Sequence, residues 1–153
     1  MKQKFLVIAL FLFAAYSVTL AQVEQKYYSS KIINLKFEDA SKKIETVFKS
    51  YGFGVITEID MDVKLKEKLE DVDIKPYRIL GICNPSYAYE TLKVEENIGL
   101  FLPCKVLVKY IDENSTEVIV VNPTALMKLL GNKELIGIAE KVNMKFEKAL
   151  REI

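Results

Sequence analysis

Apolar and polar positions change period along this chain, and each change marks an element. Over residues 37–51 the apolar side chains Phe37, Ala40, Ile44, Val47, Phe48 and Tyr51 recur at helical spacing, with acids and lysines between them. A helix buries such a stripe against a core and leaves the charges in water. Glu38 and Asp39 fall in its first turn, where the helix dipole favours acids, and Gly52 stands where a left-handed cap ends a helix. A short β-branched run at 31–35 precedes it and predicts a strand. After it, alternation over 55–60 puts Val55, Thr57 and Ile59 on one strand face and Ile56, Glu58 and Asp60 on the other.

Asp60 or Asp62 then caps a short surface helix reaching Leu69, with Val63, Leu65 and Leu69 turned inward. Residues 77–83 read as a strand that ends at a cysteine. Asn84 is a good N-cap and Pro85 suits the first helical position, so a helix follows to about Val94 with Ala88 and Leu92 inward. The apolar run 100–110 predicts a long strand, in which Pro103 demands an edge position or a bulge. A polar turn at 112–115 returns the chain into a strand over 116–121. Asn122 and Pro123 open a short helix closed by Gly131, and Leu135, Ile138, Ala139, Val142, Phe146, Ala149 and Leu150 trace the stripe of a terminal one. Helices and strands interleave early and a hairpin comes late. That order predicts an α+β two-layer domain, a mostly antiparallel sheet with helices packed on it.

The N-terminus has a different character. Lys2 and Lys4 precede an uncharged apolar run over 5–20, and Thr19 and Ala21 offer small residues at a cleavage site. This layout is that of a secretory signal peptide over 1–21, followed by a polar lead-in at 22–30 and a single domain over 31–153. Loss of Lys2 and Lys4 with the signal leaves 20 basic against 21 acidic side chains. A balance so near neutral supplies no field for nucleic acid or for a membrane surface after cleavage. The chain has no histidine, which removes histidine-based nucleophilic catalysis and histidine-ligated zinc or haem.

Several ordered stretches together resemble the family called domain of unknown function 302 (DUF302). They are Phe37-Glu38-Asp39-Ala40, the run 52–60, the run 64–69, the run 76–85 and the run 98–106. The resemblance spans roughly 31–150 and implies a small α+β domain with helices on an antiparallel sheet, forming a homodimer. Where family members carry a serine-type cap before the first helix, this chain has Lys36, which has no acceptor for the helix amides.

The candidate chemistry is sparse. Cys83 and Cys104 are the two thiols. Three readings stay open for them: small core residues, a disulfide worth ~3 kcal/mol in the loop-entropy model, or a thiol pair in redox or soft-metal work. The resemblance weighs against the disulfide, because members without an export signal hold the same two positions. Two thiols alone do not fill a tetrahedral zinc site, so no metal or cofactor is assigned. Glu58 and Asp60, two apart on one strand face, are either an acid/base pair or a solvated ionic patch. Tyr77 and Arg78 suit contact with a carboxylate or phosphate, or the arginine pairs with Glu58 or Asp60 across the sheet. Asn84 is a helix cap beside any ligand held at the strand end. The expectation is an exported, non-enzymatic, dimeric module that binds a small molecule or a partner. The alternative is a thiol-based redox or soft-metal protein using Cys83 and Cys104.

Overall fold

The computed structural model describes residues 26–153. The expected signal peptide and residues 22–25 of the polar lead-in lie outside the described residues. Five strands, β1 (Tyr28–Ile33), β2 (Gly54–Asp60), β3 (Tyr77–Cys83), β4 (Cys104–Asp112) and β5 (Ser115–Val121), form one sheet. They lie in the order β1-β5-β4-β3-β2 with every neighbour antiparallel. The helices are α1 (Phe37–Ser50), α2 (Met61–Lys66), α3 (Pro85–Val94), α4 (Pro123–Leu130) and α5 (Lys133–Glu152), with a 3-10 turn at Glu96–Phe101 between α3 and β4. This is the expected α+β architecture. No helix of the described residues is long and apolar enough to cross a membrane.

One face of the sheet is covered by α1 and α5. Ala40, Ile44, Val47 and Phe48 from α1 meet Val142, Phe146, Ala149 and Leu150 from α5 over Leu80, Ile82, Val106, Val108, Val118 and Val120. Phe48, Phe53 and Phe146 pack edge to face, with centroids 5.0 to 6.4 Å apart. Truncating a fully buried phenylalanine such as Phe48 or Phe146 costs about 3–5 kcal/mol. The stripes of α1 and α5 are those read from the sequence. Phe53 is the exception, placed in a glycine turn by its neighbours yet only 3% exposed. Gly52, at φ +85°, swings the chain so that Phe53 returns to the core.

A second, smaller core gathers Ile98 of the 3-10 turn, Met127 of α4, and Leu135 and Ala139 of α5. Val94, Leu102, Leu126 and Ile136 pack around it. At 20 residues, α5 is about 30 Å long, enough to serve the main core with its C-terminal half and the small core with its first turns.

Several expectations give way to packing. A register shift between Val55 and Thr57 inserts Ile56 as a bulge, so Val55 pairs with Ile82 and turns toward the core while Thr57 and Ile59 point the other way. The strand expected over 100–110 begins only at Cys104. Pro103 has no amide hydrogen for the ladder, and the residues before it coil into the 3-10 turn. Since β4 lies between β3 and β5, Pro103 marks its start and not an edge. Helix α2 stops at Lys66, and Val63 and Leu69 are exposed while Asp62 is buried, its carboxylate accepting from the Tyr77 amide at 3.1 Å. Leu92 of α3 faces out. Strand β1 starts at Tyr28, inside the stretch read as lead-in. Lys36 at the start of α1 makes no side-chain cap, as its chemistry requires.

Candidate functional site

The main and small cores do not merge. Between them, at the end of the sheet where β3 stops and β4 begins, lies a cavity of about 250 Å³. Phe53 and Ile82 wall it from the main core, and Ile98, Leu102, Leu126 and Met127 from the small one. Helix α3 lies along it and contributes Ala88 and Thr91.

Three of the residues singled out in the sequence meet here: Cys83, Asn84 and Cys104. Cys104 pairs with Ile82 and shares its face. Strand alternation would send Cys83 to the opposite face, but Cys83 is the last residue of β3 and the cavity reaches around the sheet end, so both thiols line it. Both are free. Burial, followed by the nearby charge an ionised Cys83 would carry, pushes the Cys104 thiol up to about 11, with Lys105 acting weakly in the other direction. Burial also raises Cys83. Attack on a disulfide or an electrophile requires the thiolate, which these surroundings suppress at neutral pH. Cys104 retains some accessible area, which faces the apolar cavity, so exposure and desolvation coexist at this side chain.

Asn84 caps α3 with its Oδ1, which accepts from the amides of Ser86 and Tyr87 at 3.0 and 3.1 Å. Pro85 occupies the first helical position, where its missing amide hydrogen costs nothing.

Tyr77, Arg78, Glu58 and Asp60 lie elsewhere. Five residues of strand, about 17 Å, separate Arg78 from Cys83. The Arg78 guanidinium is held by Asp60 at 2.6 Å, Glu58 at 3.0 Å and Glu38 at 3.0 Å, and donates to Ser41 Oγ at 3.1 Å. Burial works against its charge, yet the hydrogen bonds it donates to Asp60 and Glu38 outweigh it and raise its pKa above the ordinary value. Arg78 also stacks 5.1 Å from the Phe37 ring. Most of its donors are committed to these partners, so the arginine welds α1 to β2 and β3. Asp60, expected as a cap for α2, gives its carboxylate to Arg78 and makes no cap bond. Tyr77 contributes its amide to Asp62. No group of three His, Cys, Asp or Glu side chains suited to a metal occurs among the described residues.

The cavity walls from the 3-10 turn, α4 and α5 were not foreseen as site residues. Ala139 reads as an ordinary stripe position and Met127 falls inside the short helix after Pro123, and the sequence signal is the run 98–104, apolar without a strand's alternation.

The surroundings of this chain among known proteins agree with that fold. An uncharacterized protein of Aquifex aeolicus (strain VF5) is 26% identical over 136 residues, covering 88% of this chain and 85% of its own. The crystal structure of an uncharacterized conserved protein DUF302 from Bacillus stearothermophilus superposes with a TM-score of 0.76 at 27% identity, over 82% of this chain and 97% of that one. The family described as domain of unknown function DUF302 matches residues 28–153, which takes in every strand and helix described above. The chain belongs to the DUF302 family.

Proposed function

We propose that this chain is a non-enzymatic binding module that holds a small apolar molecule in the cavity between its two cores. The observation that carries the reading is the cavity itself, about 250 Å³ of space walled by aliphatic and aromatic side chains in a domain whose main core is otherwise closely packed. Sites for small molecules are concave, mostly apolar and marked by a few convergent polar groups. Here those groups are Asn84, Thr91 and the two thiols. The basic N-terminus and apolar run of residues 1–21 support an exported protein.

The same module pairs with a second copy through the sheet face opposite α1 and α5. Ile59, Ile79, Leu107 and Ile119 stand in register across four strands on that face, and Ile32 beyond them is 63% exposed. Lys109 and Glu117 sit side by side on it, 2.9 Å apart, so a two-fold related copy meets complementary charge.

The cavity is tested with N-phenyl-1-naphthylamine, a neutral fluorophore that brightens in apolar surroundings. The expected result is saturable binding that Ala88→Phe abolishes without lowering the unfolding midpoint. Binding unaffected by that substitution refutes the reading. The thiol alternative is weaker because both thiols are held protonated. Rapid, reversible disulfide formation between Cys83 and Cys104 at neutral pH would restore it.

A further inference from the structure

The cavity has a polarity, and it assigns a chemical class to the ligand. This step rests on the reading of the cavity as a binding site. Its interior is apolar, and among the described residues that line it none is acidic and one, Lys105, is charged. Lys105 forms no ion pair with a described acid, in contrast to its strand neighbour Lys109, which Glu117 neutralises. Its Nζ donates to the Pro103 carbonyl oxygen at 2.7 Å. That bond anchors the ammonium at the cavity's edge and leaves donors for another acceptor.

Two further features bear on where the cavity opens. Leu100 and Phe101 line the cavity yet are 87% and 37% exposed, an unusual amount of apolar surface to leave in water beside an apolar hole. Lys105 and Val121 also belong to a shallow groove of about 340 Å³ that runs from Tyr27 and Tyr28 to Leu107, Lys109 and Ile119, on the sheet face proposed above to meet a second copy. Cavity and groove therefore adjoin at Lys105.

We propose that the cavity takes a single-chain amphiphile with a carboxylate head, its hydrocarbon chain lying among Ile98, Leu126 and Met127 and its head on Lys105 Nζ. The chain covers Leu100 and Phe101 as it leaves the mouth. The carboxylate supplies the negative partner that Lys105 lacks among the described acids, and it meets no like charge among the described residues of the cavity wall.

Displacement of N-phenyl-1-naphthylamine by decanoate, decanol and acetate separates binding in the cavity from recognition of the head group. Decanoate is expected to displace the fluorophore about tenfold more tightly than decanol, the equivalent of ~1.4 kcal/mol. Acetate, a head without a chain, is expected to do nothing. Lys105→Ala should erase the preference for decanoate while leaving decanol unchanged, and Lys105→Arg should restore it. Equal displacement by decanoate and decanol, or a preference that survives Lys105→Ala, overturns the carboxylate assignment and leaves the cavity reading standing. A fluorophore that never binds removes the cavity reading, and this inference with it.

Discussion

Asn84 Nδ2 donates to the Gly52 carbonyl oxygen at 2.8 Å, while the Oδ1 of the same side chain caps α3. One amide thus ties the turn after α1 to the start of the helix that walls the cavity. Asn84→Ala should lower stability by about 1–2 kcal/mol, the worth of an N-cap together with one lost hydrogen bond. Asn84→Asp, which keeps the cap acceptor and loses the donor to Gly52, should fall between the two in urea denaturation. An alanine variant as stable as the parent would show that the link contributes nothing to stability.

Gly81 has no room for a side chain. A Cβ there would collide with Thr57 Oγ1 and lie 2.5 Å from Pro103 Cγ. The residue is in β3 opposite Thr57 and Lys105, where the chain entering β4 closes over the sheet. Gly81→Ala is expected to cost about 1–3 kcal/mol by overpacking. Thr57→Ala in the same chain should recover part of the loss, since the hydroxyl is removed but the proline ring remains. Equilibrium unfolding of the two single variants and the double variant measures the coupling.

The Cys104 thiol makes stability depend on alkaline pH. Unfolded, it titrates near its ordinary value of 9.0, and folded near 11. Below pH 9 both states hold the proton and the contribution is fully present. Between pH 9 and 11 the unfolded chain sheds a proton that the folded chain keeps, so stability falls as pH rises, by at most ~1.4 kcal/mol per pH unit. The free energy of unfolding of the parent should fall more steeply across this window than that of Cys104→Ala. Parallel profiles would mean that Cys104 is solvated like a free thiol.

The sheet face predicts the oligomeric state. Scattering coupled to size exclusion should give a dimer mass at micromolar concentration, and Ile79→Lys should give a monomer, because a lysine in the middle of the apolar row puts a charge into the interface. A parent that elutes as a monomer would end the pairing proposal. An unchanged dimer in the variant would move the interface to another surface.

Arg78 shows both the reach and the limit of reading this chain as a sequence. Period-two alternation and cross-strand chemistry allowed Arg78 to pair with Glu58 or Asp60, and it pairs with both. The third carboxylate, Glu38, comes from α1, 40 residues away, and no local pattern announces that contact. Simple alternation gives the wrong phase at the start of β2 for a similar reason. A bulge at Ile56 is set by pairing with β3, so Val55 turns inward against the simple alternation.

Composition and periodicity by themselves determined most of the elements, the stripes of α1 and α5, the α+β class and the absence of any histidine chemistry. These are local properties, written in side-chain spacing of 2 or 3.6 residues. Only the tertiary structure decided that the two cores stay apart, that both thiols border the gap between them, and that Lys105 is the charged residue among the described ones that line it. A cavity is what packing leaves unfilled between elements distant in sequence, so its shape is absent from any single stretch of the chain.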